Sequence, residues 1–179
     1  IRNVLVGEVW HASGQSNMAW GVTRSLNGEA ELAAGDYPLI RIFVHPREPA
    51  TEPMFTNGGT WTATTPDNLA WKPAVAYFFA RDLHQTFDIP IGIYSTPWGG
   101  AAAEAFVHPD SLANHSAGPE FVERYEAAVA RLEADLAAGE DIPNNDPRRR
   151  AVSGQRRPSQ LYHGMIHPEN GRASWREKE

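Results

Sequence analysis

The stretch that decides the fold is Val4-Leu5-Val6-Gly7-Glu8-Val9-Trp10-His11-Ala12-Ser13-Gly14-Gln15-Ser16-Asn17-Met18. Its first half is apolar and β-branched, and it reads as a strand buried on both faces. The pattern breaks at Ser13-Gly14, and Ser16 then opens what the sequence predicts to be a helix. A strand, a tight turn and a helix N-terminus suit a nucleophile. The turn lifts the hydroxyl off the sheet, and the first backbone N–H groups face any negative charge beside it. Gly14-Gln15-Ser16-Asn17 lacks the second glycine of the Gly-x-Ser-x-Gly elbow, so that elbow is not the template. Read alone, Ser16 fits an ordinary helix N-cap, accepting a backbone hydrogen bond from the first turn.

Outward from this stretch, residues 29–34 read as a brief helix ending at Gly35. Residues 39–44 form the second expected strand, between Pro38 and Pro46. Residues 47–70 are a long connection rich in Pro, Thr, Gly and Asn, of a length usual for functional or poorly ordered loops. Pro73 then opens a helix over 73–83, and 89–94 is a third, buried strand. Strand, helix and strand in alternation argue for an α/β layer with a parallel sheet. Residues 119–138 form a long helix with Phe121, Tyr125, Val129, Leu132 and Leu136 on one face. Residues 139–158 read as a polar linker containing Arg148-Arg149-Arg150 and Arg156-Arg157, and this short basic cluster reads as a solvated loop.

The chain of 179 residues suits one domain, 1–179, with a real core. A net charge of −6 argues against a nucleic-acid surface. With no cysteine, disulfides and thiolate metal sites are excluded, but the compartment is not decided. No apolar run approaches the roughly 20 residues of a membrane-spanning helix. No signal peptide is in view, and a start at Ile1 suits a processed or excised piece.

A second constellation, Ser95-Thr96-Pro97-Trp98-Gly99-Gly100-Ala101-Ala102-Ala103-Glu104-Ala105-Phe106, directly follows the third strand. Ligands of parallel α/β sheets bind outside the carboxyl ends of strands, where this loop must lie. Paired glycines let backbone N–H groups approach a ligand closely. A third stretch is Leu161-Tyr162-His163-Gly164-Met165-Ile166-His167-Pro168.

In this order, Gly7-Glu8-Val9-Trp10 with Ser13-Gly14-Gln15-Ser16-Asn17-Met18, Trp98-Gly99-Gly100 with Glu104 and Phe106, and Leu161 to Pro168 resemble the sialate O-acetylesterase-type branch of the SGNH (GDSL-like) hydrolases. The resemblance covers the chain from about Asn3 to Pro168 and implies a flavodoxin-like three-layer α/β/α sandwich with a parallel sheet. It makes Ser16 the nucleophile of an ester hydrolase, with Gln15 and Asn17 beside it. It gives an oxyanion role to Gly100, with Gly99 as near alternative, alongside the Ser16 N–H. Glu104 becomes a residue that holds its loop, and Trp98 and His167 lie near the cleft. The family usually has Asn where this chain has His163. No cofactor and no metal are implied. A secreted or periplasmic setting is suggested by the resemblance alone.

Two of the family's blocks have no counterpart here: a Gln-Gly-Glu-Ser-Asn-like strand end, and an Asp-x-x-His pair that supplies the acid and base. No Asp stands three residues before any His, and residues 169–179 form a charged tail without a strand pattern. A serine hydroxyl needs a base within hydrogen-bond reach, which contributes on the order of 10²–10⁴-fold. That role would fall to His11, His163 or His167, or to a second polypeptide. Three core strands would leave an edge open, so a C-terminally incomplete, marginally stable or self-associating domain is expected.

The sequence therefore points to removal of O-acetyl groups from a carbohydrate through an acyl-Ser16 intermediate, with Trp61, Trp71 and Trp98 as candidate sugar-stacking walls. A second reading is a sugar-binding or assembly module that keeps the cleft and lacks the base. A flavodoxin-like nucleotide site is a weaker third, because no phosphate-cradling loop follows the first strand.

Overall fold

The structure is a computed structural model that describes residues 3–56 and 58–168. The expected tail at 169–179 lies outside the described residues. The chain forms two compact units, Ile1–Arg47 with Gly58–Gly99, and Glu48–Asn57 with Gly100–Glu179.

The first unit is built on a four-stranded sheet in the order β1-β4-β2-β3. Its elements are β1 (Glu8–Ala12), α1 (Gly28–Ala34), β2 (Tyr37–Val44), β3 (Thr60–Thr64), α2 (Pro66–Leu69), α3 (Ala74–Phe87) and β4 (Ile91–Ser95). β1, β4 and β2 run parallel, with Trp10, Ile93 and Ile42 in one row. β3 pairs antiparallel with β2. The α/β class with a mostly parallel sheet is the expected one.

Side chains alternate across a strand, which sorts the sheet into two faces. Ile40, Ile42, Ile91 and Ile93 are buried against Ala76, Tyr77 and Ala80 of α3, which recur at helical spacing. α3 ends where Asp88 turns left-handed (φ 53°) and donates its N–H to the His84 carbonyl, 2.9 Å. Tyr77 donates its hydroxyl to Glu31, which also ion-pairs Arg81 at 2.6 Å, tying α1 to α3.

Three expectations for this unit need correction. The first strand was expected over the apolar run from Val4, buried on both faces. It begins at Glu8 instead, and Val6 is 89% and Val9 61% exposed. The reason is position: β1 pairs only with β4 and lies at the sheet edge. No helix forms after Ser16 either. Residues 15–19 make one turn, because Gly21 is already extended (φ −74°, ψ 153°) and bridges Pro73. The connection over 47–70 is not structureless. Thr60–Thr64 adds a strand to β2, and Pro66–Leu69 a short helix capped by Thr65.

The second unit holds α4 (Pro109–Ala113), α5 (Gly118–Ala137) and α6 (Pro147–Ala151), with a 3₁₀ turn at Ala103–Phe106 and a π-helical turn at Tyr162–Ile166. Leu132 is the buried centre of the apolar face of α5, and Tyr125 donates its hydroxyl to the Val152 carbonyl, 3.0 Å. The stretch 139–158, expected as a linker, holds α6 inside this unit. Its basic cluster is not simply solvated: Arg148 reaches Asp135 at 2.6 Å, Glu140 at 2.7 Å and Asp146 at 3.2 Å.

Candidate active site

The Ser16 turn is the first structure after the carboxyl end of β1, and the loop carrying Gly99 leaves the carboxyl end of β4 beside it. Parallel pairing of β1 with β4 is what makes the two loops neighbours. Two backbone bonds continue that pairing past the strands. Thr96 N–H donates to the Ala12 carbonyl at 2.9 Å, and Trp98 N–H to the Gly14 carbonyl at 3.0 Å.

Gly14 has φ +134°, a conformation that L side chains rarely adopt, and a Cβ there would lie 3.0 Å from Met18 Cγ. It turns the chain so that residues 15–19 can close on themselves. Ala19 N–H donates to the carbonyls of Gln15 (3.1 Å) and Ser16 (3.2 Å). Gln15, Ser16 and Asn17 are exposed on this turn. Gly99 faces it closely: a Cβ on Gly99 would lie 3.7 Å from Ser16 Cα and 3.8 Å from its Cβ. Ser16, Gln15, Asn17, Trp98 and Gly99 are thus brought together within the first unit. A side chain at position 99 would crowd the serine.

Gly100, Glu104, His163 and His167 belong to the second unit. Gly100 is left-handed (φ +77°). The Ala102 N–H bonds the Gln155 carbonyl at 3.1 Å, so the loop after Gly100 is anchored. The Glu104 carboxylate pairs with Arg124 at 2.8 Å, and its carbonyl accepts the Ser159 N–H at 3.0 Å. Both contacts are of the loop-holding kind.

Among the histidines, His163 and His167 each present Nδ1 to a carbonyl, of Thr51 (3.0 Å) and Met54 (2.9 Å). A carbonyl only accepts, so each Nδ1 carries the proton and Nε2 is the basic nitrogen. His11 Nε2 meets the Thr96 hydroxyl at 2.7 Å. Its pKa is held below the ordinary histidine range by partial burial first and by nearby His45 second. These three hydrogen-bonded nitrogens therefore face Thr96, Thr51 and Met54 rather than Ser16. No cluster of metal-ligating side chains occurs among the described residues.

The tryptophans divide. Trp98 stands at the site. Trp61 packs on Phe43 (ring centroids 5.5 Å apart) and lines a groove of about 480 Å³ with Val9, Arg41 and Gly92, toward the amino ends of β1 and β4. That is the wrong end of the sheet for Ser16. Trp71 is 78% exposed. Sequence reading passed over Trp20 and Arg24, although an aromatic and a basic residue four apart were a signal.

No protein-family model matches the chain. The sialate O-acetylesterase of Rattus norvegicus is 30% identical over 94% of this chain and 33% of its own length. That of Homo sapiens is 35% identical over 63% of this chain and 23% of its own. The crystal structure of a carbohydrate acetylesterase from Xanthomonas citri is similar with a TM-score of 0.70 and 31% identity, covering 94% of this chain and 30% of that one. The chain is a domain of the SGNH-type acetylesterase family. The acetylesterase domain described here spans about a third of the length of the rat and mouse relatives. Carbohydrate O-deacetylation is the family-level chemistry that the names of these relatives carry.

Proposed function

We propose that this domain is a serine esterase that removes O-acetyl groups from a carbohydrate through an acyl-Ser16 intermediate. The observation that carries the reading is the close approach of Gly99 to an exposed Ser16 on a glycine-set turn at the carboxyl end of β1. Ser16 Oγ attacks the acetyl carbonyl carbon while a base takes its proton. The C–O bond to the sugar breaks, and the sugar oxygen leaves with a proton. Water then attacks the acyl-enzyme, releasing acetate and restoring the hydroxyl. Backbone N–H groups of Ser16 and of Gly100 or Gly99 hold the tetrahedral oxyanion, of which Gly99 has the support of its approach to Ser16. Gln15 and Asn17 flank the serine, Glu104 braces its own loop, and Trp98 and His167 contribute to the cleft. An acetylated carbohydrate is the partner this chemistry requires.

A second reading, a binding module without turnover, is favoured by one observation: the hydrogen bonds of His11, His163 and His167 are made to groups other than Ser16. Labelling with a fluorophosphonate, beside Ser16→Ala, separates the two. A single adduct by intact mass that vanishes in the variant is the expected result. A folded chain that takes no adduct selects the binding module.

A further inference from the structure

The Ser16 chemistry leaves unused the segment that follows it. Trp20 is 46% exposed, yet its ring is fixed from two directions. Its indole N–H donates to the Arg24 carbonyl at 2.9 Å, and the Arg24 guanidinium carbon sits 5.2 Å from the ring centroid. The backbone beneath is fixed as well: the Trp20 carbonyl accepts the Ala74 N–H at 2.7 Å, and Gly21 bridges Pro73. A tryptophan serving only as surface cover needs no such fixing.

Trp20, Asn17, Ser25, Ala74, Val75 and Phe78 line a groove of about 430 Å³. Asn17 directly follows the nucleophile, and Ala19 closes the intervening turn onto Gln15 and Ser16. The groove thus begins at the reacting residue. Among the described residues Arg24 makes no ion pair, so a cation stands at its rim without a fixed counter-ion. The chemistry on offer is an aromatic and aliphatic wall for the C–H face of a sugar, small polar groups at Asn17 and Ser25, and a planar fork of donors suited to a carboxylate.

We propose that Trp20 and Arg24 form a subsite for the sugar that bears the ester, and that this subsite selects a sugar acid over a neutral sugar. The inference rests on the esterase reading of Ser16 and adds the charge class of its substrate. Arg24 bonds the carboxylate, Trp20 carries the ring, and the acetylated hydroxyl is presented toward Ser16.

The test is binding of N-acetylneuraminic acid and of its methyl ester to the folded chain, followed by tryptophan fluorescence. The acid is expected to bind on the order of tenfold more tightly than the ester, as for loss of one charge-assisted hydrogen bond. Arg24→Gln is expected to erase that difference and leave ester binding unchanged, whereas Trp20→Phe retains the preference. Equal binding of acid and ester, or an acid preference that survives Arg24→Gln, overturns the subsite. Fluorophosphonate labelling of Ser16 in the same samples keeps the two readings apart. A labelled serine without acid preference overturns the subsite alone. An Arg24-dependent acid preference on an unlabelled chain supports the subsite and removes the esterase reading.

Discussion

β1 and β4 lie side by side and parallel, with five residues in register, and both descend from apolar stretches of sequence. Their surroundings are opposite. Ile91, Ile93, Tyr94 and Ser95 of β4 are buried, while Glu8, Val9, Trp10 and His11 of β1 are exposed. β4 has a strand on each side and α3 over one face, whereas β1 has one neighbour. The number of partners, not the composition of the strand, sets burial. The two strands nonetheless contribute equally to the site, because each ends in one of its loops.

The sharpest way to break that contrast is to truncate one residue of each strand. Ile93→Ala removes a fully buried side chain between Ile42 and Trp10 and is expected to cost about 2–5 kcal/mol. Val9→Ala on the exposed neighbour is expected to stay within about 0.5 kcal/mol. Chemical denaturation measures both, and equal losses would mean that β1 is as enclosed as β4.

The loops after the two strands differ in the same sense, and backbone conformation reports it. Gly14→Ala places a Cβ at φ +134° and 3.0 Å from Met18 Cγ, in the turn that presents Ser16. A loss on the order of 1–3 kcal/mol is expected, with slower labelling of Ser16. Gly139→Ala is the control, with a positive φ of +84° but nothing within 4 Å of its Cβ. It is expected to cost less and leave Ser16 untouched. If both lower stability equally and neither affects labelling, the Gly14 turn is not what positions the serine.

The same comparison explains what was legible in the sequence. β2, β4 and α3 announce themselves because burial on both sides leaves uninterrupted Ile and Ala-Tyr-Ala patterns. β3 does not: Thr-Trp-Thr-Ala-Thr lies in a Pro- and Gly-rich stretch, and its strand character comes from pairing with β2, a long-range contact. The run from Val4 was misread as buried because hydrophobicity does not say how many neighbours a strand will find. In the site, Ser16 and the Gly99-Gly100 pair could be read from motifs, and the structure brings Gly99 to the serine. Trp20 could not be read, since its fixed ring depends on Arg24 and on Ala74, more than fifty residues away.

The smallest expected effect is electrostatic and lies where the strands touch. His11 of β1 faces Tyr94 of β4 with ring centroids 5.7 Å apart, and His45 approaches the same tyrosine at 5.8 Å. With Thr96, these are the polar and titratable groups around the His11 ring. Its pKa is depressed in the folded state, so the unfolded chain binds the proton more readily. Stability from His11 is therefore complete above its ordinary pKa of about 6.5 and is lost as pH falls below that value. The wild-type chain is expected to lose more stability than His11→Gln between roughly pH 7.5 and 5.5, the window that brackets the free imidazole. The half-exposed position of the ring keeps this below the Gly14 effect. Because partial burial leads the shift and His45 follows, His45→Gln is expected to recover only the lesser part of the difference. Identical pH slopes for wild type and His11→Gln would mean that the His11–Thr96 contact adds nothing to the join between the two strands.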